Sequence, residues 1–220
     1  MNKLLILLLL ILTKTFFGQV NDQQACLDFV PEGYIVFEEI YGDLNKDGIS
    51  DCVLIIKGTN KDNIVINEFD EEVDQNRRGI IILFKKNNQY ELAVENYDCF
   101  ASENEDGGVY LPPELSVEIN KGKLYVHYSH GRYGYWKYTF RYQNSGFELI
   151  GYDESNGGVV VDSEISINFL SKKKLLRVNT NENAEGGDEV FKETWEEIQI
   201  DKLVRLSEIN DFLELDMSVY

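Results

Sequence analysis

Leu115-Ser116-Val117-Glu118-Ile119-Asn120-Lys121-Gly122-Lys123-Leu124-Tyr125-Val126-His127-Tyr128 reads as a β-hairpin. Two runs of strand-forming residues flank a three-residue turn that carries asparagine and glycine. The pattern then repeats: residues 135–142 and 147–152 flank Gln143-Asn144-Ser145-Gly146. Residues 115–153 therefore predict an antiparallel meander, and the rest of the chain can be read against it. Upstream, residues 34–41 alternate loosely, while residues 52–56 and 79–84 are almost wholly apolar. Runs of that kind predict strands covered on both faces. Residues 90–94 pair with 79–84 across the polar turn at 85–89. Downstream, 164–170 and 175–178 form a hairpin around Ser171-Lys172-Lys173-Lys174. A polar stretch, 179–189, reads as a mobile loop, and 194–200 as a strand.

At the two ends the pattern predicts short helical turns. One spans 21–29 with Asn21 as its cap and Pro31 after it; another runs through Phe212 with Ser207 as its cap. No low-complexity linker and no fixed-period repeat interrupts the chain. The expected fold is mainly β: a single antiparallel domain, sandwich- or meander-like, over residues 19–220.

Residues 1–18 read as a signal peptide. Lys3 gives a positive start, residues 4–12 are an unbroken apolar run, and Gly18-Gln19 offers a cut. The run is well short of the ~20 residues that a spanning helix needs. The sequence thus predicts export to the periplasm or beyond, with no membrane span after cleavage. Cys26 lies too far from the apolar run to serve as a lipid acceptor. The chain carries a formal charge of −18, and about −20 without the leader and its Lys3 and Lys14. Such a balance repels phosphate backbones, which argues against nucleic acid as a partner, and it favours cations. Three cysteines, Cys26, Cys52 and Cys99, fit no zinc or redox spacing. Cys52 reads as a small buried hydrophobe, and Cys26 with Cys99 is the expected pairing if one forms.

The chemically richest stretch is Asp43-Leu44-Asn45-Lys46-Asp47-Gly48-Ile49-Ser50-Asp51. Asp43, Asn45, Asp47 and Asp51 place side-chain oxygens at loop positions 1, 3, 5 and 9, and Ile49 can add its carbonyl at position 7. Gly48 stands where the chain must turn sharply. This spacing suits a hard cation held by oxygen, with Ca2+ the foremost candidate. The other reading is an Asx-rich turn whose side chains bond their own backbone. Position 12 is Leu54, where an EF-hand has its bidentate glutamate, so the chain leaves the loop as a strand. The loop resembles the calcium loops of FG-GAP/VCBS-type β-propeller repeats over Gly42 to about Ile56. That resemblance implies an extracellular β protein whose ion is structural. Only one copy is present, whereas a propeller needs several. Beyond the loop, Tyr138-Thr139-Phe140-Arg141-Tyr142, residues 147–153 and residues 164–170 resemble a family of uncharacterised secreted bacterial β proteins. That likeness implies no particular activity.

No nucleophile elbow, zinc helix, P-loop or dinucleotide fingerprint occurs in the sequence. Trp136, Tyr138, Phe140 and Tyr142 share one strand face, as either core or a stacking platform. The segment His130-Gly131-Arg132-Tyr133-Gly134 presents Arg132 and Tyr133 at a rim. His127 and His130 lie three apart and point to opposite faces of a strand. The sequence therefore predicts a non-catalytic, calcium-stabilised binding protein with a protein or glycan ligand. Two alternatives are a carbohydrate-binding module using Trp136, Tyr133 and Arg132, and a periplasmic inhibitor or immunity protein.

Overall fold

The computed structural model describes residues 25–67, 69–104 and 112–220. The expected leader, its cut and the Asn21 cap lie outside the described residues. Among the described residues, thirteen strands fall into three antiparallel sheets: β1 (Tyr34–Gly42), β2 (Asp51–Gly58), β3 (Ile64–Ile66), β4 (Glu72–Asp74), β5 (Arg78–Lys86), β6 (Gln89–Phe100), β7 (Glu114–Asn120), β8 (Lys123–Ser129), β9 (Gly134–Gln143), β10 (Gly146–Gly157), β11 (Val161–Asn168), β12 (Lys173–Asn179) and β13 (Phe191–Glu197). One sheet has the order β1-β2-β5-β6. A second is a seven-stranded meander, β13-β12-β11-β10-β9-β8-β7, and β3-β4 is a small separate hairpin. The expected antiparallel β fold is what forms.

The two apolar runs, β2 and β5, are the central strands of the four-stranded sheet, which explains their lack of alternation. Val53, Ile55, Ile80 and Ile82 face the core between the two large sheets. Leu54, Ile56, Ile81 and Leu83 face the opposite side, where Leu27, Phe29 and Val30 of the N-terminal segment cover them. Between β5 and β6 the turn contracts to Asn87 and Asn88, both with positive φ (51° and 60°), as a two-residue hairpin loop requires.

The C-terminal segment seals the core. Leu206, Ile209, Phe212 and Met217 are buried among residues of both sheets. The Asn96 amide donates to the Leu206 and Ile209 carbonyls (2.8 and 2.7 Å), and the Tyr138 hydroxyl donates to the Phe212 carbonyl (3.1 Å). Phe212 stacks on Phe100 with ring centres 5.0 Å apart.

A charged cluster that the sequence reading did not anticipate closes one end of this core. Lys57, 4% exposed, places its ammonium 3.0 Å from Asp74 and 2.5 Å from Glu103. Its cross-strand partner Arg78 donates to the Ala101 carbonyl (2.9 Å) and lies over the Phe37 ring. Charges taken out of water need such partners.

Four expectations are corrected. Cys99 lies in the core between the sheets, and Cys26 lies in the cluster on the far face of the four-stranded sheet. The sheet itself separates the expected pair, and the three cysteines are not joined to one another. Ser207 caps nothing: the final turn is Leu206–Glu208, with Arg205 at its cap position and no side-chain cap bond. The last strand runs Phe191–Glu197, because Ile198 turns inward to the core. The loop at 179–189 is braced: Asn179 accepts from the Asn181 and Val190 N–H groups, and Asp188 from those of Glu185 and Gly186. Among the described residues no helix is long and apolar enough to cross a membrane.

Candidate functional site

Two features stand out, the 43–51 loop and the outer face of the seven-stranded sheet. The loop joins β1 to β2 and folds by turning its polar side chains onto its own backbone. Asp43 accepts from the Lys46 and Gly48 N–H groups (2.6 and 3.0 Å). Asn45 Oδ1 accepts from Asp47 N–H (2.9 Å), and Asp47 Oδ1 from Ile49 N–H (2.8 Å). Gly48 has φ +85°, a conformation a Cβ would strain.

The loop seats on the second sheet. Leu44 is buried in the inter-sheet core. Gly42 passes so close to β7 that a Cβ there would lie 2.6 Å from Ile119 Cγ2, and the Lys46 stem lies against Gly122 of the β7–β8 turn.

Asp51 holds this arrangement together and is 0% exposed. Its Oδ2 accepts from Leu44 and Asn45 N–H (2.8 and 3.4 Å), and its Oδ1 from Lys85 N–H (3.1 Å). Burial pushes its carboxyl pKa up, against the three N–H groups that pull it down.

Among the described residues, no three Asp, Glu, His or Cys side chains are grouped to hold a metal. The loop itself offers oxygen donors of the hard type: the Asp43 and Asp47 carboxylates, the Asn45 amide and the Ile49 carbonyl. Asp51 is committed to backbone N–H groups. Asp43 is committed in the same way through both its oxygens, and Asn45 and Asp47 each through one, so the loop as folded carries the hydrogen bonding of an Asx-rich turn.

The outer face of the long sheet follows from its register. Ser116, His127, Lys137, Asp153, Ser166, Leu175 and Trp195 are successive cross-strand partners, one from each of the seven strands. Their neighbours along β8 and β9, Val126, Tyr128 and Tyr138, are buried core residues, which places this row on the opposite, outward face. The neighbouring row contains Ser129, Tyr135, Ser155, Glu164, Arg177 and Glu193.

Two grooves indent this face. One, of about 400 Å³, is lined by Ser116, Glu118, Asn120, Tyr125 and Lys137, together with His127 and Tyr135. The other, of about 280 Å³, shares His127 and Tyr135 and continues past Arg132 to Ser155 and Asn156. The shared pair forms the ridge between them, its ring centres 5.4 Å apart.

Many of the charges on this face are paired with each other. Lys137 lies 3.2 Å from Asp153, which also accepts from the Ser166 hydroxyl (2.8 Å). Arg177 pairs with Glu164 and, at 3.4 Å, with Glu193. Burial lowers the His127 pKa, and Lys137 lowers it further against the opposing Glu118. Ser116 Oγ lies 3.4 Å from His127 Nδ1.

The three residues expected to bind a glycan fall in different places. Arg132 lines a groove, donates to the Tyr133 hydroxyl (2.7 Å) and lies over that ring. Trp136 faces inward, stacked on buried Tyr128 with ring centres 5.3 Å apart. The exposed tryptophan is Trp195, 64% accessible on β13. Tyr125 and Tyr135 are the groove aromatics, and their alternation with core residues along β8 and β9 was the signal that could have identified them. No family model, curated protein or solved structure matches the chain.

Proposed function

We propose that the chain is an exported, non-catalytic binding protein that takes a neutral glycan on the outer face of its seven-stranded sheet, with a calcium ion stiffening the 43–51 loop. The observation that carries the glycan reading is the His127–Tyr135 ridge between two grooves lined by hydroxyls, amides and tyrosine rings. Within a chain of formal charge −18, this face offers largely uncharged or mutually neutralised groups. A sugar meets such a surface with C–H groups on an aromatic ring and hydroxyls on polar side chains. An anionic ligand would be repelled by the chain as a whole, and an apolar one would leave the groove's polar groups without partners.

Asp43, Asn45, Asp47 and the Ile49 carbonyl are the residues that would hold calcium, with Asp51 fixing the loop from behind. The ion would neutralise the Asp43 and Asp47 carboxylates of a loop that seats on the second sheet. Without a twelfth-position glutamate its affinity belongs with extracellular modules, at ~0.1–1 mM.

A glycan array tests the function. Wild-type protein is expected to retain one class of neutral oligosaccharide, and the folded Tyr135→Ala variant to lose it. No retention by the wild type, or equal retention by both, overturns the reading.

A further inference from the structure

The far face of the four-stranded sheet brings two cysteines together. Cys52 stands opposite Tyr41 in the β1–β2 register, and Cys26 Sγ lies 3.5 Å from the Tyr41 hydroxyl. Cys26 and Cys52 are both 0% exposed within one apolar cluster, and each adjoins the Tyr41 side chain. Cys99 is excluded from this cluster by the intervening sheet.

We propose that Cys26 and Cys52 are the two halves of a disulfide that forms by exchange with a disulfide donor and fastens the N-terminal segment over the sheet. One thiolate attacks a sulfur of the donor and releases a thiol; the second thiolate attacks the mixed disulfide and releases the other. The two cysteines lose two electrons and two protons in forming one S–S bond, and the donor is reduced to two thiols. Because both sulfurs are sealed from solvent in the folded chain, exchange belongs to the folding stage.

The consequence is local. The segment at 25–33 is held mainly by apolar packing, through Cys26, Leu27, Phe29 and Val30. A link to Cys52 would fix it beside Asp51, at the foot of the 43–51 loop.

The test refolds the full chain from denaturant in mixed oxidised and reduced glutathione, then alkylates it under denaturing, non-reducing conditions. Mass spectrometry is expected to find one alkylated cysteine, Cys99, and a 26–52 linked peptide that separates on reduction. Three alkylated cysteines, or a link that includes Cys99, would overturn the proposal. The Cys99→Ser variant is expected to keep the link, and loss of the link in that folded variant counts against it. Reductant should lower the wild-type melting temperature but leave that of Cys26→Ser unchanged; an equal response in both counts against it too.

Discussion

Asp51 Oδ1 accepts the backbone N–H of Lys85 at 3.1 Å, which ties the first residue of β2 to the end of β5 two residues beyond their last paired position. The other oxygen of the same carboxylate holds Leu44 and Asn45. One buried side chain thus fixes the loop to the sheet. Replacing Asp51 with alanine leaves these backbone donors without their acceptor and is expected to cost about 3 kcal/mol. Asn at this position keeps one oxygen and should cost about half as much. Urea unfolding at pH 7 measures both, and a loss within 0.5 kcal/mol for Asp51→Ala would show that the tie is idle.

Calcium at millimolar concentration is expected to raise the melting temperature, and magnesium to raise it only weakly, because magnesium sheds its water reluctantly. Asp47→Ala should remove the difference between the two ions. Differential scanning calorimetry decides the matter, and the same calcium response in variant and wild type contradicts the site.

Asp74 supplies a pH dependence. Burial raises its pKa, but the Asn76 N–H and amide and the Lys57 ammonium outweigh burial, and the net shift is below 3.8. A depressed carboxyl contributes stability in full above its unfolded value, and that stability is lost as the pH falls through the folded one. Wild-type stability should therefore fall with acidification below about pH 4, and Asp74→Asn should show a shallower fall. Urea midpoints between pH 5 and 2.5 check this, and identical slopes would remove Asp74 from the explanation.

Lys57 is the central cation of that cluster. Lys57→Met removes the charge between the partly exposed Asp74 and Glu103 carboxylates and leaves Glu103 with Arg78, 3.8 Å away. The expected loss is about 3 kcal/mol, at the lower end for a broken buried pair because its partners keep some water. Chemical denaturation gives the figure; a variant as stable as wild type would mean that the cluster contributes only specificity.

Trp136 and Tyr135 are adjacent in sequence and opposite in role. Trp136→Ala removes a ring stacked on Tyr128 and is expected to cost about 2–3 kcal/mol. Tyr135→Ala should cost less than 1 kcal/mol, because its ring lies on the outward face. Thermal melts of the two variants separate these roles, and reversal of the order would place the ligand face on the wrong side of the sheet.

The antiparallel meander was legible because Asn120-Lys121-Gly122 and Gln143-Asn144-Ser145-Gly146 mark their turns locally. The runs in β2 and β5 announced central strands for a similar reason: two covered faces leave no position for a polar residue. The Lys57–Asp74–Glu103 cluster was not legible, since its members come from three distant segments. The cysteine arrangement failed in the same way. Which face of a sheet Cys26 and Cys99 occupy depends on how the N-terminal segment wraps, and no local pattern encodes that. At the candidate site, spacing marked the 43–51 loop as rich in side-chain oxygens, and the fold turns those oxygens onto the loop's own backbone. The groove was missed because alternation shows which residues share a face, not which face curves inward. Trp136 drew attention as an aromatic when its partner Tyr128 had already taken it into the core.

The most direct measurement is an amide NMR titration with the best-retained oligosaccharide from the array. Shift changes are expected to cluster on residues 116–120, 125–137 and 153–157, around His127 and Tyr135. Changes concentrated instead on the 64–74 hairpin or the far face of β1 and β2, or none at saturating sugar, would contradict a glycan site on this sheet.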